Sequence, residues 1–167
     1  MAIYEINNNN LSPVKSVPFS QEKESQIITE KNLDVIFGLE FIQTEYALSN
    51  FRIDTLAFDP QSNAFAIIEY KKNENFHVID QGYAYLALML SNKADFIIEY
   101  NDKMQSPLKK NDVDWSQSRV LFVSPSFTIY QKQAINFENL PIELWEIKRC
   151  SNNTLSYNKI RASQAVI

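Results

Sequence analysis

Glycine, cysteine and histidine are all scarce in this 167-residue chain. Its two glycines, Gly38 and Gly82, lie far apart, which excludes the glycine-rich loop that P-loop and dinucleotide-binding proteins use to hold phosphate. The single cysteine, Cys150, excludes an internal disulfide and a cysteine-rich metal site, and it fits a reducing, cytoplasmic environment. The single histidine, His77, has no supporting pattern around it, which excludes a Ser-His-Asp or Cys-His nucleophile.

Long apolar runs and a basic N-terminal leader are also missing. No apolar stretch approaches the ~18 residues of a membrane span, and residues 1–15 lack the basic-then-apolar order of a signal peptide, so we expect no membrane partner. The net charge of −4 weighs mildly against a protein that coats nucleic acid, because lysine and arginine make most phosphate contacts. It remains compatible with a cation-binding active site beside a local basic patch.

The length of the chain is that of a single domain, residues 1–167. Within it we expect an N-terminal extension with an edge strand (1–19), a core that carries the motifs (20–100), additions to the sheet (101–150) and a polar, weakly structured tail (151–167).

The hydrophobic pattern predicts an α/β fold with a mixed β-sheet flanked by helices. The predicted helices are 20–36, 76–91 and 125–137, and the predicted strands are 39–46, 51–58, 64–71, 95–100, 119–124 and 142–148. The segment 59–63 is a turn that joins two strands into an antiparallel hairpin, whereas the helix over 76–91 predicts a parallel crossover. The core is therefore helix, three strands, helix and strand, followed by C-terminal additions.

Three charged residues mark the two strands of this hairpin. Glu69 ends an apolar run, and Lys71 shares its face because side chains alternate along a strand. Asp54 lies on the preceding strand, where hairpin pairing brings it near Glu69. Two carboxylates with a main-chain carbonyl, here that of Tyr70, form a hard oxygen site suited to Mg²⁺ or Mn²⁺. Such an ion assists phosphodiester hydrolysis, with Lys71 as the catalytic cation.

Asp54 followed by Glu69-x-Lys71 resembles the core of the PD-(D/E)XK nuclease superfamily, and Gln81-x-x-x-Tyr85 resembles the QxxxY motif of its RecB-type branch. The resemblance covers about residues 20–100, and Ile53 stands where the name-giving proline would be. It implies a restriction-endonuclease-like fold.

The resemblance also implies further roles within the site. An acidic residue of the first helix would help to hold the metal, namely Glu22 or, as the alternate, Glu24. Gln81 would support catalysis, and Tyr85 would lie near the metal or the substrate.

Three further polar residues near the motifs are candidates for substrate contacts, and each also has a simpler structural explanation. Arg52 and Lys72 are candidates for phosphate contacts, but an ion pair or a solvated position explains each of them equally simply. His77 lies one helical turn before Gln81, where it contacts substrate or only caps the helix.

These observations predict a Mg²⁺-dependent nuclease that cleaves DNA. The alternatives are a nuclease-fold module that binds nucleic acid or assembles with a partner without useful activity, and a phosphoesterase that acts on small nucleotides. A homodimer is left open. The chain also resembles the N-terminal module of larger prokaryotic proteins, which leaves open a second domain or a partner protein.

Overall fold

A seven-stranded mixed β-sheet with helices on both faces forms the body of the molecule, as predicted for the α/β fold class. The structure is a computed structural model that describes residues 1–74, 76–137 and 139–161. The strands of the described residues are β1 Ile3–Asn7, β2 Asn10–Val14, β3 Ser16–Val17, β4 Glu40–Leu48, β5 Phe51–Asp59, β6 Ala64–Tyr70, β7 Arg119–Ser124, β8 Ile142–Cys150 and β9 Thr154–Lys159. The α-helices are α1 Glu22–Glu30, α2 Leu33–Phe37, α3 Val78–Ser91, α4 Lys93–Met104 and α5 Ile129–Ala134, and two short 3₁₀ helices are Lys110–Asp112 and Trp115–Gln117.

The main sheet has the strand order β3-β8-β7-β6-β5-β4, and β9 pairs with β8. Strand β5 pairs antiparallel with β4 on one side and with β6 on the other, whereas β6, β7 and β8 run parallel to one another. The antiparallel hairpin and the parallel crossover through α3 confirm the predicted mixed sheet. The long connection between β6 and β7 carries α3 and α4, as a parallel crossover requires.

Strand β6 is the centre of the sheet, and all of its residues are buried. Its odd-numbered side chains Phe65 and Ile67 belong to the core cluster that includes residues of α3 and α4. Its even-numbered side chains Ala66 and Ile68 belong to the cluster that includes Leu33 of α2. Both faces are therefore covered, which explains an apolar run without alternation. The charged residue Glu69 lies near the end of β6, and Lys71 directly follows the strand.

Helix α3 lies close to the sheet because Gly82 has no side chain. A Cβ at this position would lie 2.6 Å from the Cδ1 of Ile142 and 3.7 Å from the ring of Phe122. This close approach sets the distance between the sheet and the helix that carries Gln81 and Tyr85. None of the helices in the described ranges has the length and apolar character needed to cross a bilayer.

The predicted strand over residues 95–100 is wrong, because these residues lie in α4. Phe96 and Ile97 are buried whereas Ile98 is exposed, and Phe96 packs against the rings of Tyr46 and Phe65. Three consecutive apolar residues carry no periodicity, so a short run of this kind does not distinguish a strand from a buried helix face. The strand that follows α3 in the sheet is β7.

The single helix predicted over residues 20–36 is also wrong. Helix α1 ends at Glu30, and Asn32 adopts φ −135° and ψ 26°, outside the helical region, before α2 begins. The Asn32 side-chain amide donates to the Ile28 carbonyl at 2.8 Å, which satisfies a carbonyl at the end of α1. Gly38, with φ 69°, ends α2 in the left-handed conformation that glycine adopts readily.

Two terminal segments differ from the expectation as well. The predicted polar tail is not weakly structured over Thr154–Lys159, because β9 pairs with β8 along its whole length. Residues 162–167 of that tail lie outside the described residues. In the N-terminal extension, β1 and β2 form their own two-stranded sheet, and only β3 joins the edge of the main sheet.

Candidate active site

The strands β5 and β6 separate at Asp54 and Glu69. Their regular pairing runs from Asp59↔Ala64 to Thr55↔Ile68, and beyond it side chains replace the backbone partners. The Asp54 N–H donates to Glu69 Oε1 at 3.0 Å, and the Tyr70 N–H donates to Asp54 Oδ2 at 3.0 Å. Each carboxylate thus accepts a backbone N–H from the opposite strand, which holds both side chains in the gap where the sheet opens.

The two carboxyl groups are too close and too buried to ionise independently. Burial, and then the charge of Asp54, raise the pKa of Glu69 to about 8 from the ordinary 4.5. Burial also raises the pKa of Asp54. The interaction between the two side chains lowers the pKa of Asp54 and raises that of Glu69, so Glu69 is the member that binds a proton more readily. The pair therefore holds a proton at a place where a cation would release it.

Lys71 lies beside this pair and lowers the pKa of both carboxyl groups through its positive charge. Its backbone N–H donates to the Val123 carbonyl at 2.8 Å, so the sheet fixes its position. Its Nζ lies 5.4 Å from the centroid of the Phe76 ring, a cation–π contact. The structure therefore brings Asp54, Glu69 and Lys71 together.

Helix α1 adds a third carboxylate. Glu22 Oε1 accepts the N–H of Lys72 at 2.8 Å, and the charge of Glu22 raises the pKa of Asp54. Glu24 instead hydrogen-bonds to Ser20 and pairs with Arg149 at 3.4 Å. Of the two alternatives from the first helix, Glu22 is the one that lies at the end of β6. Within the described ranges, however, no three His, Cys, Asp or Glu side chains converge into a ready-made metal cage.

The two α3 motif residues lie on one face of that helix, four residues apart. The Tyr85 hydroxyl hydrogen-bonds to Glu69, and burial raises the pKa of Tyr85. Its ring also contacts the ring of Phe51 edge-on, with centroids 6.2 Å apart. The Gln81 amide oxygen is buried and has no hydrogen-bond partner among the described residues. Tyr85 thus orients a carboxylate, and Gln81 retains an unused acceptor.

The two basic candidates for phosphate contact lie at the rim. The Arg52 side chain is 66% exposed and forms an ion pair with Glu45. The Lys72 ammonium donates to the Ser20 carbonyl at 2.8 Å. The side chain of Tyr70 lies among the core residues of the α2 side of the sheet, which leaves only its main chain beside Glu69 and Lys71.

A buried polar network behind the site was not predicted from the sequence. The Gln26 amide of α1 donates to the Asp54 carbonyl at 3.0 Å and to Glu30 Oε1 at 3.0 Å. The Thr55 hydroxyl donates to the same Glu30 oxygen at 2.6 Å. A signal exists in the sequence, because Glu22, Gln26 and Glu30 recur every four residues and so share one face of α1. This face connects α1 to the main chain of Asp54.

No family model matches the chain. An uncharacterized protein of Haemophilus influenzae is 52% identical over 165 residues, which cover 99% of this chain and 55% of the relative. The chain thus spans about half the length of the curated relative that it matches.

Solved structures resemble the fold at low sequence identity. The EndoMS–dsDNA2 complex has a TM-score of 0.50 at 17% identity, covering 87% of this chain and 64% of EndoMS. A repair endonuclease from Pyrococcus abyssi has a TM-score of 0.48 at 18% identity, covering 79% of this chain and 49% of that enzyme. The likeness to EndoMS shows that this chain has a nuclease-like fold.

Proposed function

We propose that this chain is a Mg²⁺- or Mn²⁺-dependent nuclease that hydrolyses phosphodiester bonds in DNA. The observation that carries the proposal is the buried pair of Asp54 and Glu69, in which each carboxylate accepts an N–H of the opposite strand and Lys71 lies alongside. Burying two carboxyl groups side by side costs free energy, because both the burial and their mutual repulsion disfavour the charged forms. Such a pair is typical of a site that binds a cation.

The donor set fits a hard divalent cation. Asp54, Glu69, the Tyr70 main-chain carbonyl and Glu22 supply only oxygen atoms, which Mg²⁺ and Mn²⁺ prefer. Burial, and then the charge of Asp54, raise the pKa of Glu69, and a bound cation would favour the ionised form that both of them disfavour. When bound, the ion would polarise the scissile phosphate and lower the pKa of a water molecule.

The side chains of this chain supply the remaining functions. Lys71, whose main chain is held by the sheet, uses its ammonium group to donate hydrogen bonds to the phosphate oxygens on which negative charge develops. The Tyr85 hydroxyl holds Glu69 in its orientation, and Gln26 holds the main chain of Asp54. Gln81 supports the site with its unused amide oxygen. Arg52 and Lys72 exchange their present partners for backbone phosphates when DNA binds.

DNA is the substrate that the comparisons favour. EndoMS, with the same fold, has been solved with double-stranded DNA. A cleavage assay with labelled single-stranded DNA, duplex DNA and a small phosphodiester tests the proposal, each with Mg²⁺, Mn²⁺ or EDTA. Cleavage of DNA with a metal and none with EDTA supports a metal-dependent nuclease. Hydrolysis of the small phosphodiester alone indicates a nucleotide phosphoesterase, and DNA binding without any cleavage indicates a nuclease-fold binding module.

A further inference from the structure

A cavity of about 500 Å³ lies next to the proposed catalytic site, between the start of α3 and α5. Phe76 forms part of its wall and is also the ring that the Lys71 ammonium contacts at 5.4 Å. Phe76 therefore contacts both the cavity and the lysine of the proposed catalytic site. A volume of this size accommodates a small planar ligand group.

Hydrogen bonds within the protein hold the cavity wall that precedes α3. The buried Gln131 amide of α5 donates to the Phe76 carbonyl at 2.9 Å and to the Glu74 carbonyl at 3.2 Å. Gln131 also closes a capping box with Thr128 at the start of α5. These bonds tie the segment that follows β6 to the start of α5, the two segments that line the cavity.

The lining favours an uncharged aromatic group over a phosphate. Two aromatic side chains, His77 and Tyr130, are exposed at the cavity, and Tyr130 is 79% exposed. The acidic side chains Glu74 and Asp80 also line it, and the described lining residues include no lysine or arginine. Carboxylates repel phosphate but accept hydrogen bonds from amino groups, whereas aromatic rings stack on bases. A nucleobase has both the flat face and the amino donors.

We propose that this cavity binds the base of an unpaired nucleotide next to the phosphate that Lys71 contacts. The inference rests on the proposed function, because the neighbouring phosphate is the one to be cleaved. A base inside a duplex is stacked and paired and does not reach a cavity of this kind without leaving the helix. The substrate class is therefore DNA with an unpaired nucleotide beside the scissile bond, as in a single strand, a flap or a frayed end.

A fluorescence titration tests the inference through binding. The probe is an oligodeoxynucleotide with 2-aminopurine beside a phosphorothioate linkage that resists hydrolysis, single-stranded or fully paired, in the presence of Mg²⁺. The wild-type protein should quench the fluorescence of the single strand by stacking on the base. Tyr130→Ala should weaken binding of the single strand about tenfold, the loss expected for one base–aromatic stack, and should leave the paired probe unaffected. Tyr130→Trp should restore both the affinity and the quenching.

Phe137→Ala is the matched control, because Phe137 is also an aromatic residue, is 74% exposed and does not line the cavity. Wild-type affinity and quenching in both Tyr130→Ala and His77→Ala would overturn the inference, as would a wild-type protein that leaves the 2-aminopurine signal unchanged. The cleavage assay separates the two proposals. Cleavage and binding that do not depend on Tyr130 would support the nuclease proposal and contradict the base site. Tyr130-dependent quenching without any cleavage would support the base site and contradict the nuclease proposal.

Discussion

Asp54 and Glu69 are fifteen residues apart in the chain and face each other at the point where β5 and β6 separate, with the Asp54 N–H bonded to Glu69 Oε1 at 3.0 Å. The carboxylates complete the hydrogen bonding of two strand ends that no longer pair with each other. Their fold-stabilising role and their proposed metal-binding role therefore use different oxygen lone pairs of the same side chains. Conservative amide variants are the right tests, since they keep an acceptor oxygen and remove the charge.

The metal-free protein should lose stability as the pH rises from about 5 to 8. In this range the folded protein keeps the proton of Glu69, whose pKa is about 8, whereas the unfolded chain has released it near the ordinary value of 4.5. Raising the pH therefore favours the unfolded state, by at most about 1.4 kcal/mol per pH unit from this group. Urea unfolding in EDTA at several pH values measures the slope. Glu69→Gln should flatten it, and an unchanged slope would contradict the assignment.

Binding of Mg²⁺ near pH 7 should release a proton, because the ion replaces the proton that Glu69 holds. Calorimetric titrations in buffers with different ionisation enthalpies measure this release, and Mg²⁺ should also raise the melting temperature of the protein. Asp54→Asn should abolish both effects. Asp34→Asn, at an exposed position on α2, is the control and should retain them. Equal heats in all buffers would mean that the ion does not displace this proton.

Glu22 and Glu24 should differ in their effect on cleavage. Glu22→Gln removes a charge that acts on Asp54 but keeps an oxygen for the Lys72 N–H, and we expect a ten- to hundredfold weaker apparent affinity for Mg²⁺. Glu24→Gln affects a side chain that pairs with Arg149, and cleavage should remain near the wild-type rate. The Mg²⁺ dependence of the cleavage rate measures both. The reverse order would favour Glu24 as the metal ligand.

Gly82→Ala should destabilise the protein by about 1–3 kcal/mol, the usual range for overpacking a core. The added methyl group would lie 2.6 Å from the Cδ1 of buried Ile142 and force α3 away from the sheet. Ile142→Val removes that Cδ1 and leaves the Cγ1 contact at 2.9 Å, so it relieves part of the overlap, and the double variant should be more stable than the sum of the two single changes predicts. Urea unfolding of the four proteins gives the coupling energy. Strict additivity would show that this contact does not set the position of α3.

The hairpin of β5 and β6 and the helix after it were predictable, because an apolar run, a turn sequence and helical spacing are all local signals. Once the hairpin is assigned, Asp54 and Glu69 must lie close together. The strand β9 was missed because its apolar residues Leu155 and Tyr157 alternate with polar residues only over a short stretch, and pairing with β8 stabilises them. The four-residue spacing of Gln26 and Glu30 places both on one face of α1, but no local pattern reveals that this face meets Thr55 of β5.

Whether the gap between β5 and β6 is the active site is decided by the cleavage rates of Asp54→Asn and Glu69→Gln. These rates are compared with those of wild type and of the controls Asp34→Asn and Glu5→Gln. The assay measures single-turnover cleavage of DNA with Mg²⁺, and circular dichroism verifies that every variant is folded. We predict that both site variants lose at least a hundredfold in rate while both controls, at exposed positions, cleave as wild type does. Wild-type cleavage by folded Asp54→Asn or Glu69→Gln would show that the gap between β5 and β6 is not the active site.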